Sequence, residues 1–156
     1  MNPYHSRHIS HIIGVANPGH VFQKPAWFAG EPLQIFFADV VSEADASQYH
    51  TRAPGIGDIR QALDFFRVVW SAKDSRILVT CDYGASRSPA LAYLFIADDL
   101  GPGRESEAFK LMLEIRDIAV PNGLVVRLGD TLLKRNGALL GPLKEHYKKI
   151  EADLFK

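Results

Sequence analysis

Apolar residues in this chain fall into short unbroken blocks, most of them early, and helically spaced stripes that dominate the later half. The blocks are His11 to Asn17 (HIIGVAN), Leu33 to Ala38 (LQIFFA) and Arg76 to Thr80 (RILVT). Short runs rich in branched and aromatic residues, bounded by turn-forming or polar neighbours, predict buried strands. Pro18-Gly19 stops the first block, and Pro18 to Pro32 reads as an ordered surface loop. A polar stretch from Asp39 to Gly57 follows the second block.

The stripes predict helices. Ile59, Ala62, Leu63, Phe66, Val69 and Trp70 share one face of a helix expected to begin at Asp58, where Asp58 and Gln61 suit a capping box. Ser88 to Leu100 predicts another, with Pro89 in a first turn where its missing N–H costs nothing. Gly101-Pro102-Gly103 ends it. Phe109, Met112 and Leu113 then line a helix over Glu105 to Ile118, and Pro121-Asn122-Gly123 breaks the chain again. Leu124, Val125, Leu128, Leu132 and Leu133 mark a further helix. Leu143, Tyr147, Ile150 and Leu154 mark a terminal one after Gly141-Pro142. Strands linked through helical crossovers predict a single α/β domain over residues 1–156, with a central, mostly parallel sheet flanked by helices. Met1 to Ser10, polar throughout most of its length, reads as a flexible tail.

Composition narrows the function. Of 156 residues, 47% are hydrophobic and 23% charged, and 18 basic residues balance 18 acidic ones. A neutral chain carries no bulk signal for nucleic acid or an anionic membrane, so any anion recognition must be local. The one cysteine cannot form an internal disulfide. No run approaches the ~20 apolar residues of a membrane span, and the first residues lack a signal-peptide core. A cytoplasmic protein is expected. His5, His8 and His11 are spaced three apart, but His11 begins a strand, and no metal site is expected from them.

The chemistry concentrates in Cys81-Asp82-Tyr83-Gly84-Ala85-Ser86-Arg87-Ser88, between a predicted strand and a predicted helix. Open α/β sheets bind ligands at such junctions. A loop closing there can turn the backbone amides of Asp82, Tyr83, Gly84, Ala85, Ser86 and Arg87 toward one anion, helped by the helix N-terminus. Gly84 supplies backbone freedom. Arg87 can grip two phosphate oxygens with its planar fork, and the same positive field favours the thiolate of Cys81. Ser88 is spaced to hydrogen-bond the sulfur.

This Cys-x2-Gly-x2-Arg-Ser spacing resembles the signature of the cysteine-dependent protein tyrosine phosphatase superfamily, in particular its dual-specificity branch. Leu33 to Asp39 is similar to the strand leading into that family's acid-bearing loop. Ile115-Arg116 through Pro121-Asn122 is similar to a later family segment. The resemblance implies a dual-specificity-phosphatase-like fold and hydrolysis of phosphate monoesters through a cysteinyl-phosphate. Cys81 would be nucleophile, Arg87 phosphate ligand and Ser88 the aid to thiolate release, with no metal or cofactor. The chain departs from the family's usual histidine before the nucleophile, where Thr80 stands, and it carries a carboxylate, Asp82, directly after it.

The resemblance also calls for a carboxylic acid to protonate the leaving oxygen. Asp39 at the end of LQIFFAD is the first candidate, Asp45 the second and Glu43 the third. Arg116 reads as a surface charge, Asp98 and Asp99 as solvated acids, and Trp27, Phe28 and Tyr83 as aromatics near a substrate pocket. With no Lys or further Arg inside the loop, the expected substrate is a singly phosphorylated group. Phosphotyrosine in a protein partner, or a small phosphate monoester, fits that expectation. Two other readings stand beside it: a pseudophosphatase that binds phosphorylated partners, and a thiol redox enzyme such as an arsenate reductase. The latter would lack a resolving cysteine.

Overall fold

The computed structural model describes residues 8–156. Most of the N-terminal segment read as a tail, with His5, lies outside the described residues. Ser10 is already engaged: its amide donates to Arg76 O at 2.9 Å, and its hydroxyl accepts from the Arg76 amide at 2.8 Å.

Among the described residues, three strands make one parallel sheet. β1 (His11–Ala16) lies between β2 (Leu33–Phe36) and β3 (Ile77–Thr80), in the order β2-β1-β3. Val15 faces Ile35 across one pair, and Ile13 faces Val79 across the other. A central strand covered on both faces needs an unbroken apolar run, and that is why HIIGVA does not alternate. Ile12 and Ile13 are both 0% exposed, although they point to opposite faces. Ile13, Val15, Ile35 and Phe37 share one buried cluster with Leu63, Phe66, Leu91, Leu94 and Phe109 of the helices. On the opposite face, Phe22 of the loop after β1 packs so tightly over Gly14 that a Cβ there would lie 2.7 Å from its ring.

Parallel strands end together. Asn17, the Phe37–Asp39 segment and Cys81 therefore leave the sheet along the same edge, although they come from three distant stretches of chain.

Among the described residues there are six helices, two between β2 and β3 and four after β3: α1 (Glu43–Gln48), α2 (Ile56–Trp70), α3 (Arg87–Leu100), α4 (Glu105–Ile115), α5 (Gly123–Leu132) and α6 (Leu140–Leu154). None among the described residues is long and apolar enough to cross a membrane. Most of the expected stripes face inward, but that of α6 holds only over its first turns: Leu143 is buried and Leu154 is exposed near the C-terminus. Ile59, Ala62, Leu63, Phe66 and Val69 of α2 are buried, while Trp70 stays 43% exposed and stacks on Phe66.

Four local expectations change. The polar stretch before α2 contains α1, started by Ser42, whose hydroxyl accepts the Asp45 amide at 3.0 Å. α2 begins at Ile56, two residues before Asp58. Asp58 sits at the third helical position, where its carboxylate accepts the Gly55 amide at 2.8 Å. α4 stops at Ile115 and not at Ile118, because Arg116 turns into an extended conformation and its side chain reaches back to the Cys81 loop. Asp98 and Asp99 are not merely solvated. Asp98 holds Arg67 by two bonds of 2.8 and 3.0 Å, and Asp99 accepts the Trp70 indole at 3.0 Å.

The far end of α3 is pinned by a buried ion pair. Arg135 meets Glu105 at 2.8 Å and donates to Ala97 O and Gly101 O, so the negative end of the helix acquires a cation. α5 approaches α3 closely at Gly129, where a Cβ would fall 2.3 Å from both methyl carbons of Leu94. Leu94 is 0% exposed and has nowhere to retreat. Gly129→Ala gains up to ~1 kcal/mol of helix propensity but incurs an overpacking cost of ~1–3 kcal/mol. The expected result is a net loss of about 1 kcal/mol in urea unfolding, with an unchanged m-value.

Candidate active site

Residues Cys81 to Ser86 form the turn from β3 into α3. Four consecutive carbonyls of this loop are drawn outward by the α4–α5 connection. Arg116 Nε donates to Gly84 O at 3.0 Å and its Nη2 to Tyr83 O at 3.3 Å. The Val120 amide donates to Ala85 O at 2.7 Å, and the Asn122 amide to Ser86 O at 3.1 Å. A trans peptide is planar, so an outward carbonyl turns the next N–H the other way. The amides of residues 84 to 87 are thereby directed to the inner side of the loop. Gly84 makes the bend with φ of +63°, in the left-handed region that suits glycine.

Cys81 Sγ lies within this turn, 3.2 Å from Ser88 Oγ and 3.4 Å from the Ser88 amide. Partial burial pushes the thiol pKa up. Hydrogen bonds from the Ser88 hydroxyl, the Ser88 amide and the Gly84 amide, with the charge of Arg87, outweigh it and leave the pKa below the ordinary thiol value. Thr80, in the position before the nucleophile candidate, makes one long hydroxyl contact of 3.4 Å to Cys81 O.

Arg87 is the first residue of α3 and is only 4% exposed. Its Nη1 is fully used, donating to Asn17 Oδ1 at 2.8 Å and Phe37 O at 2.9 Å. These two partners leave the ends of β1 and β2, so the guanidinium ties all three strand ends together. Nη2 meets the Asp82 carboxylate at 3.2 Å, and Nε is buried without a hydrogen-bond partner. Leaving a buried donor unpaired costs ~1–3 kcal/mol, a cost that folded proteins usually tolerate where a ligand will satisfy it. The Nε–Nη2 edge is the one that grips an oxyanion with two parallel bonds.

Asp39 stands at the rim. Its Oδ1 accepts from Ser86 Oγ at 2.7 Å and from Asn122 Nδ2 at 2.8 Å. The strand end that carries it is fixed by Arg52, which donates to Phe36 O and holds Asp58 by bonds of 2.7 and 3.1 Å. Tyr147 of α6 approaches the same corner. Its hydroxyl donates to Pro121 O, and burial followed by the Asp39 charge pushes its pKa up. Asp45 and Glu43 occupy the first turn of α1.

Asn17, Asn122 and Arg116 were not among the residues expected here. Asn17 had one legible signal, a polar residue directly after a buried strand at a sheet's ligand-binding edge. Arg116 and Asn122 lie in the segment similar to a later family one, but nothing in residue type marks that both hold loop carbonyls and that Asn122 Nδ2 also holds Asp39. Phe28 is buried at 7% and packs edge-on against Trp27, while Tyr83 is 85% exposed on the loop. No group of three His, Cys, Asp or Glu side chains among the described residues could hold a metal.

No protein-family model matches the chain, and no curated protein matches it in sequence. Solved structures do match in shape. The human tyrosine phosphatase-like serine/threonine/tyrosine-interacting protein superposes with a TM-score of 0.61 at 21% identity, over 80% of this chain and 76% of that one. Human DUSP28 superposes at 0.60 and 17% identity, over 83% and 80%. A point variant of human DUSP28 gives 0.58 at 19%, over 85% and 78%. At such identities the shared property is the fold, and the chain has the dual-specificity-phosphatase-like fold.

The hydrogen bonds to Cys81 have a direct test. Ser88→Ala should move the thiolate midpoint upward, read as the pH dependence of iodoacetamide alkylation. Because the sulfur's pKa is lowered in the folded chain, wild type should stay reactive to a lower pH than the variant, and a fully unfolded sample should titrate near ~8.5.

Proposed function

We propose that this protein hydrolyses phosphate monoesters, with phosphotyrosine in proteins as the substrate class, through a cysteinyl-phosphate intermediate. The observation that carries this reading is Arg87, a buried guanidinium with Nε unpartnered, beside a thiol of lowered pKa on the same turn. A core arginine would have all its donors satisfied, and a structural cysteine would be buried among apolar groups.

In this reading the phosphoryl group sits on the amides of residues 84 to 87 and on the Nε–Nη2 edge of Arg87. The Cys81 thiolate attacks phosphorus. A P–S bond forms, the P–O bond to the leaving group breaks, and the leaving oxygen takes a proton from Asp39. Both hydrogen bonds to Asp39 fall on Oδ1, which leaves Oδ2 to carry that proton. Water then attacks phosphorus and gives its proton back to Asp39. The P–S bond breaks, phosphate leaves, and the Ser88 hydroxyl receives the charge returning to sulfur. Arg87 and the amides stabilise charge on the transferring phosphoryl oxygens without moving, since Asn17 and Phe37 O already hold the guanidinium in place.

The experiment is hydrolysis of para-nitrophenyl phosphate and of a phosphotyrosine peptide in EDTA, from about pH 3.5 to 9, a range that spans the ordinary carboxyl and thiol values. Cys81→Ser should be inactive, and Arg87→Ala should lose at least ~100-fold in kcat/KM. A general acid must be protonated to act, so the wild-type rate should fall as pH rises. Asp39→Asn should be slower and should lack that falling limb. Folded wild type that binds tungstate yet turns over neither substrate would replace hydrolysis with phosphate-dependent binding.

A further inference from the structure

The carboxylate directly after the nucleophile candidate has an unusual position. Asp82 is a loop residue whose side chain is 46% exposed, yet it reaches inward to Arg87 Nη2 at 3.2 Å. Every other contact of that guanidinium goes to the scaffold through Nη1, and Nε has no partner. The carboxylate therefore rests on one of the two nitrogens that form the oxyanion-binding edge.

We propose that Asp82 is an internal competitor for the anion site, occupying Arg87 Nη2 until an incoming phosphoryl oxygen displaces it, and so sets the affinity of the loop for oxyanions. This rests on the phosphate-site reading of the Cys81 loop. A carboxylate oxygen and a phosphate oxygen are alike in charge and in hydrogen-bond geometry, and one N–H cannot serve both at full strength. Two anions held within ~4 Å of each other also repel, by an amount that grows with the charge of the ligand. Entry of a dianion thus requires Asp82 to swing out to solvent, which its exposure permits. Binding and the Asp82–Arg87 contact are negatively coupled, and each weakens the other equally.

The coupling has a sign that a merely structural role would not produce. In the ligand-free protein Asp82 is the counter-ion of a buried arginine, and removing it should lower the melting temperature. With an oxyanion bound, that loss disappears, because the ligand has replaced the carboxylate. Asp82→Asn should therefore be less stable alone and gain more from ligand than wild type does. A residue that only shapes the loop would weaken binding when changed.

The test is titration of tungstate into wild type, Asp82→Asn and Asp82→Ala by calorimetry, with melting curves with and without tungstate. Both variants should bind about threefold more tightly, the scale of one half-exposed charge pair. Their melting temperatures should be lower than wild type without tungstate and should converge on it with tungstate. Equal or weaker binding by both folded variants, while wild type binds, overturns the role of Asp82 and leaves the phosphate site standing. Failure of wild type and variants alike to bind tungstate overturns the phosphate site, and this proposal with it.

Discussion

The constraint on which the site depends is the outward capture of four successive carbonyl groups, Tyr83 to Ser86. Peptide planarity converts each captured carbonyl into an inward amide, so the inner side of the loop is determined from behind. The captors are Arg116 and the amides of Val120 and Asn122, all in the connection between α4 and α5. That connection is short and stiff because both ends are anchored. Arg116 ends α4, and Asn122 starts α5 by accepting the Val125 amide at 3.0 Å. The segment behind the loop thus sets the direction of the loop's amides.

Arg87 joins this loop to the sheet. A buried guanidinium is expensive to desolvate, and its two fixed partners, Asn17 and Phe37 O, offset that cost by hydrogen bonding at the ends of β1 and β2. Those partners converge only because the three strands are parallel and end at one edge. The same geometry brings Asp39 to the rim, where Ser86 and Asn122 tether it to the loop and to its brace. Nucleophile candidate, arginine and acid candidate each have their own hydrogen-bond partners, and the backbone of residues 81 to 88 joins the three groups.

Opposing charges are balanced closely within this small volume. Burial disfavours the thiolate of Cys81, and the hydrogen bonds of Ser88 and Gly84 with the Arg87 charge reverse that preference. Asp82 partly neutralises Arg87 in the same turn. The positive field of the helix start and the arginine is therefore met by a carboxylate of the same turn.

Much of this was legible in the chain. Unbroken apolar blocks marked the buried parallel strands, and helical stripes marked α2 to α6, because burial on two faces or on one leaves different periodicities. Cys, Gly, Arg and Ser at their spacing marked the loop, since local geometry there depends on near neighbours. Two boundaries and one helix escaped because single side chains decided them: Asp58 inside the first turn of α2, Ser42 before α1, and Arg116 at the end of α4. Residue order by itself determined the strand-loop-helix unit and placed a thiol, an arginine and a serine hydroxyl on it. Only the tertiary structure decided which distant residues face it, namely Asn17, Phe37, Asp39, Arg116 and Asn122. The reason is physical: their contacts run between residues 32 to 83 positions apart, and hydrogen bonds of that span exist only once the sheet has brought its strand ends together.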